Sequence, residues 1–194
     1  MLEVKKALSV EGNVGRRISE IFVDGFGKHF LFFSKDRDVL IRALEHMFVL
    51  ELFYIAVLDG IIVGIGACTN GKLYSVEPNW KDLSSHLGLI KGTFAYFAFK
   101  HEFHKPPMRT GNRIASVEFF ATDSRYRGKG AASAIIKHFL EKPEYDEYIL
   151  EVADTNTNAV NLYKSLGFVE FTRIKEKHTK VSGINYLIYM SYKK

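Results

Sequence analysis

The chain has 194 residues, 47% hydrophobic and 25% charged, with 27 basic and 22 acidic side chains and a net charge of +5. Such proportions belong to an ordinary globular chain of one domain and exclude a disordered or fibrous one. The mild positive charge suits an anionic small ligand and is too weak to argue for nucleic acid. A single cysteine, Cys68, excludes an internal disulfide. It ends an apolar run and reads as a small buried hydrophobe.

The opening MLEVKKALSVEGN lacks the apolar core of a secretory signal. The most apolar long stretch, GLIKGTFAYFAFKHEF, is too short and too charged to span a bilayer. These readings lead to the expectation of one soluble cytoplasmic domain over 1–194, with no membrane and no nucleic-acid partner.

Residues 2–9 read as a first strand, and Val14, Ile18, Ile21 and Phe22 then recur at helical spacing. A second helix is expected from Lys35 to Phe48, with Ser34 as its cap. Asp59-Gly60 joins two β-rich runs, 52–58 and 61–68, and predicts a hairpin. Ser84 to Phe103 reads as one long helix with Leu87, Ile90, Phe94 and Phe97 on one face, stopped by Pro106-Pro107. That helix is expected to wall an acceptor pocket, to form a dimer face, or simply to be buried. The strand IASVEFFAT, 114–122, is followed by a helix running to about Glu141. EYILEVAD, 147–154, is the next strand, and NAVNLYKSL is a short helix stopped by Gly167. Two closing strands, 168–175 and 184–192, complete the chain.

A strand, helix and strand in succession imply a parallel pair, whereas the two ends imply antiparallel pairs. The fold class expected is α/β (α+β). It has a mixed, mostly antiparallel twisted sheet of six or seven strands, a central parallel pair and helices on both faces.

The stretch RYRGKGAASAII, 125–136, gives up side chains where a helix begins. Glycine tolerates unusual dihedrals and lets a ligand approach the backbone. A helix N-terminus supplies free N–H groups and positive potential, which together make a phosphate site. Arg125, Arg127 and Lys129 add charge around it. The bland alternative is a tight basic turn. No GK[ST] follows, and Ser133 stands where the third glycine of GxGxxG would be, so a nucleotide site is disfavoured. His101 and His104 lie three apart beside a proline pair, and no metal site is expected from them.

Arg127-Gly128-Lys129-Gly130-Ala131-Ala132 resembles the R/Q-x-x-G-x-G/A signature of the GNAT family of acyl-CoA N-acyltransferases; a start at Arg125 fits the pattern as well. LEVADTNTNAVNLYKSLGF, 150–168, resembles the family's second motif. The resemblance implies a GNAT-like fold and acetyl-CoA as cofactor. Backbone amides from Gly128, Lys129, Gly130, Ala131 and Ala132 would hold its pyrophosphate, with Arg127 at the mouth. Phe120, Ala121 and Thr122 would run along the pantetheine arm, between strands 114–122 and 147–154 splayed apart. Asn156 would bond that arm or cap its helix. Tyr163 would protonate the departing thiolate or pack in the core. The family's Val and Pro before the loop are replaced here by Thr122 and Ser124.

The resemblance implies N-acetylation of a primary amine on a small molecule or peptide. A non-catalytic acyl-CoA-binding module on the same fold is the alternative, and a homodimer is compatible with the greasy helix. The attacking amine must lose a proton, so a base is needed. Strict alternation puts Ile114, Ser116, Glu118, Phe120 and Thr122 on one face. Glu118 is the one ionisable group there and the candidate base, or else half of a salt bridge with an arginine. Glu102 and Glu151 are weaker candidates.

Overall fold

A computed structural model describes every residue except His178, and all remaining side chains but those of Lys180 and Val181. Seven strands form one sheet in the order β1-β2-β3-β4-β5-β7-β6. They are β1 (Leu2–Lys6), β2 (Phe53–Leu58), β3 (Ile61–Thr69), β4 (Ile114–Thr122), β5 (Glu147–Ala153), β6 (Val169–Lys175) and β7 (Tyr186–Lys193). Every neighbouring pair is antiparallel except β4 with β5. The expected mixed sheet with a central parallel pair is therefore present.

Two apolar cores lie on opposite faces of this sheet. Helices α1 (Val14–Phe26), α2 (Arg37–Leu44), α3 (Trp80–Leu87) and α4 (Leu89–Phe103) cover the first. Helices α5 (Ala131–Leu140) and α6 (Thr157–Ser165) cover the second. A further short helix, α7, spans Thr179–Ser182. The one buried hydroxyl of α1, on Ser19, is satisfied by donating to the Ile41 carbonyl at 2.8 Å. No described helix is long and apolar enough to cross a membrane. Burial pushes the Cys68 thiol up to about 12, as suits a packing residue.

Three local expectations are corrected. The second helix begins at Arg37, capped by the Asp36 carboxylate, which accepts from the Asp38 and Val39 amides; Ser34 lies before it. Acidic side chains serve the positive helix start well. The long helix over 84–103 is two helices, broken at Gly88 with φ of 79°. The inner stripe of α4 is Gly92, Ala95 and Phe99, whereas Ile90, Phe94 and Phe97 are exposed. Close approach of α3 decides this: a Cβ at Gly92 would lie 2.4 Å from the Ser84 Cα. Bulky faces cannot fit where two helices meet that tightly, so the small residues turn inward.

The third correction concerns β4. Its pairing with β3 slips between Ala67↔Glu118 and Ile65↔Ala121, so Phe119 and Phe120 together oppose Gly66. Phe119 takes φ of 55°, which bulky residues avoid. The bulge breaks strict alternation. Phe119 turns into the first core and Phe120 into the second, so Phe120 and Glu118 do not share a face.

Candidate active site

The β4–β5 pairing covers only Ile114↔Glu147, Ala115↔Tyr148 and Ser116↔Ile149. Beyond Ser116 the two strands part in the middle of the sheet. Asp123 at the end of β4 donates its N–H to Val63 of β3 at 2.9 Å. Strand geometry alternates the direction of successive amides. Ala121 therefore directs its polar groups toward β3, and those of Thr122 turn into the opening, on the near side of the bulge. A strand edge that leaves its neighbour in this way is a template for an extended ligand.

The glycine turn sits at the mouth of this opening. Gly128 and Gly130 have φ of 76° and 82°, and a Cβ on either would meet nothing within 4 Å. The positive φ explains glycine at both positions. Gly130 caps α5 without a side chain, so the first-turn amides of Ala131 and Ala132 have no side-chain acceptor there. Ala131 packs close to β3, where a Cβ at Gly64 would approach its side chain to 2.9 Å. This contact seats the start of α5 on the sheet. Arg127 and Lys129 are exposed. Arg125, by contrast, is engaged by Asp123 through two guanidinium nitrogens. Of the two arginines that could begin the motif, Arg127 is the one at liberty beside the turn.

Asn156 caps α6, its side-chain oxygen accepting from the Ala159 N–H at 3.3 Å. Tyr163 is 7% exposed, with its ring 6.1 Å from Phe120 and 6.0 Å from Phe168. Burial raises its hydroxyl above the usual phenol range.

Glu118 accepts a hydrogen bond from Ser75 at 2.5 Å, not from an arginine. Thr69, Tyr74, Phe103, Lys105, Pro107 and Glu118 line a narrow cleft beside it. The end of α4 and the loop after it thus form a wall of this cleft. His104, in that loop, stacks on Tyr74 with ring centroids 4.1 Å apart, and His101 is exposed.

Glu151 stands out more than the sequence suggests. On β5 the residues Tyr148, Leu150 and Val152 enter the second core. Glu151 must therefore point to the other face, the one Glu118 also occupies. Its surface is exposed, yet desolvation by the atoms packed around it raises its carboxyl above the ordinary range. A hydrogen bond with Tyr189 opposes that rise, and the charges of Glu102 and Glu118 add to it.

A mixed sheet that opens at its parallel pair, with a basic glycine turn at the mouth, is the architecture of an acyl-CoA N-acyltransferase. Comparison with known proteins agrees. The model of the acetyltransferase (GNAT) family matches residues 17–168, and the chain belongs to that family. N-alpha-acetyltransferase 30 of Xenopus laevis is 35% identical over 99 residues, covering 50% of this chain and 35% of that protein. Its Homo sapiens namesake is 33% identical over 99 residues, covering 50% and 26%. The match thus takes in about a third or less of those relatives' length.

Among solved structures, an N-acetyltransferase from Staphylococcus aureus Mu50 has a TM-score of 0.66 at 15% identity, over 98% of this chain and 100% of that one. The ribosomal-protein-S18-alanine N-acetyltransferase from Escherichia coli has a TM-score of 0.54 at 16% identity, over 100% and 94%. At these identities the likeness speaks for the fold. The chain has the fold of the GNAT family, and its seven-stranded sheet is the family's.

Proposed function

We propose that the chain moves the acetyl group of acetyl-CoA to a primary amine, with the α-amine of a peptide as the acceptor class. The observation that carries this reading is the gap between β4 and β5. It has anion-binding amides at one end and two carboxylates, Glu118 and Glu151, on one face. The names of the relatives, N-alpha-acetyltransferases, favour an α-amine over a side-chain amine. The acidic groups around the groove would draw an ammonium ion in.

An α-amine titrates near 7.7–8.0, so a large share is protonated at neutral pH. Glu151 takes that proton, directly or through water, with Glu118 beside it as the second carboxylate. The raised pKa of Glu151 brings it nearer to the amine's, which suits a base. The free amine nitrogen bonds to the thioester carbonyl carbon. Amides at the Phe119–Phe120 bulge donate to the oxygen as it gains charge. The carbon–sulfur bond then breaks, and Tyr163 gives its proton to the departing thiolate. Arg127 and the amides from Gly128 to Ala132 hold the pyrophosphate, while Phe120 and Thr122 pair with the pantetheine arm.

The test of cofactor use is thermal melting with acetyl-CoA, with ATP and NADH as controls. At ligand about one hundred times Kd the expected stabilisation is about 2.7 kcal/mol. For a chain of this length that is roughly 5–10 °C. A rise with acetyl-CoA alone supports the reading, and no rise at millimolar acetyl-CoA would defeat it.

Glu151→Gln should lower kcat/KM for a peptide acceptor by about 10- to 100-fold and flatten the acid limb of the pH profile. Sign matters for stability too. A carboxyl whose folded pKa lies above its unfolded value favours folding when protonated, so it costs stability as pH rises above about 4.5. Glutamine carries no such cost, and the variant should melt no lower than the parent at pH 7. A clear drop in melting temperature with unchanged kinetics would make Glu151 a structural residue.

A further inference from the structure

We propose that Asp123 is the positioning residue that holds the phosphate-binding turn in shape, by clasping Arg17 of α1 and Arg125 of the turn at once. The proposal rests on acetyl-CoA binding at that turn. Asp123 follows the last residue of β4 and its side chain is 1% exposed. Its Oδ2 accepts from Arg17 at 2.5 Å and from Arg125 Nη2 at 2.8 Å. Its Oδ1 accepts from Arg125 Nε at 3.1 Å and from the Arg125 backbone N–H at 3.0 Å. One carboxylate thus takes four donors.

The backbone continues the chain of contacts. The Asp123 N–H donates to Val63, its carbonyl accepts from Tyr126 at 2.8 Å, and the Tyr126 carbonyl accepts from Lys129 at 3.4 Å. Arg17 is engaged elsewhere as well, giving two hydrogen bonds to the Ile62 carbonyl and one to Glu20. The clasp therefore ties together α1, the start of β3 and the turn that leads to Gly128.

The glycines themselves cannot do this holding. Neither Gly128 nor Gly130 would bring a Cβ within 4 Å of anything, so side-chain packing does not anchor the turn at those positions. Two-point guanidinium–carboxylate pairs fix orientation as well as distance. Burying a carboxylate between two arginines is a poor way to gain stability alone, since apolar replacements often serve as well. What it supplies is a fixed shape.

Charge and shape make opposite predictions. A carboxylate close to a phosphate site repels the ligand. If charge alone mattered, Asp123→Asn would tighten acetyl-CoA binding, and two freed guanidinium groups would tighten it further. If Asp123 positions the turn, the same change weakens binding.

The experiment is calorimetric titration of acetyl-CoA into the parent and Asp123→Asn proteins, with steady-state kinetics on both. The expected result is a Kd for acetyl-CoA raised about 10- to 100-fold in the variant, with kcat at saturation within about threefold. A purely structural role would reduce the fraction of active protein and leave Kd alone. Unchanged or tighter binding by the variant, alongside normal binding by the parent, overturns the proposal. No binding by the parent overturns the acetyl-CoA reading and this proposal with it.

Should Asp123→Asn fail to fold, Arg125→Lys decides, because that side chain is 72% exposed and its charge is kept. Loss of the two-point fork should raise Kd about threefold to tenfold with the melting temperature unchanged. A Kd equal to the parent's overturns the proposal.

Discussion

Replacing Tyr163 with phenylalanine is expected to lower kcat by roughly 10²–10⁴-fold while the Kd for acetyl-CoA stays within about twofold. Phenylalanine keeps the ring that lies 6.1 Å from Phe120 and 6.0 Å from Phe168, so the second core loses nothing but one hydroxyl. That hydroxyl carries its proton at neutral pH, as a phenol does, and burial raises its pKa further. A proton donor is needed only as the thiolate leaves, which places the effect on kcat and not on binding. Single-turnover measurements at saturating acetyl-CoA would isolate the step. Full turnover by the variant would remove Tyr163 from the mechanism and leave it as a core residue.

The second large effect concerns stability. Phe22→Ala should cost about 3–5 kcal/mol, because removal of a large buried ring leaves a cavity that packing cannot fully close. For a chain of this length the melting temperature should fall by about 6–20 °C. Phe22 is 1% exposed and touches the rings of Phe26, Phe30, Phe48 and Phe119 at 4.8–5.7 Å. Phe119 is the strained residue of the β4 bulge, and Phe26, Phe53 and Phe103 also surround it. The aromatic cluster therefore holds in place a backbone conformation that the residue would not choose alone. Calorimetric scanning gives the test. A fall of less than about 2 °C would mean that the site repacks around the loss.

These two residues also show what the sequence could and could not tell. Asp59-Gly60 announced its hairpin because both residues need positive φ, and they have φ of 50° and 81°. The glycine pair at 128 and 130 was legible for a similar reason. Local chemistry sufficed in each case. Apolar residues surround helix α4, so periodicity does not say which side faces inward; contact with α3 at Gly92 decides. The bulge was invisible, since VEFF contains no glycine or proline to mark it. The place proposed for Glu151 depends on the parting of β4 from β5, which no spacing records. Asp123 drew no notice at all, as its partner Arg17 lies 106 positions away in the chain.

The parting of β4 and β5 also bears on how the chain is made. Strands β5, β7 and β6 pair with one another over long registers, while only three residue pairs of the sheet ladder join them to β4. On a ribosome, β1 to β4 and helices α1 to α4 emerge before any of those three strands. The first core is built wholly from that earlier portion, so it can assemble while the remainder is still being synthesised. The second core draws on both portions and must wait. The groove proposed for the cofactor is thus a seam between parts synthesised at different times, and it can close only once both have emerged.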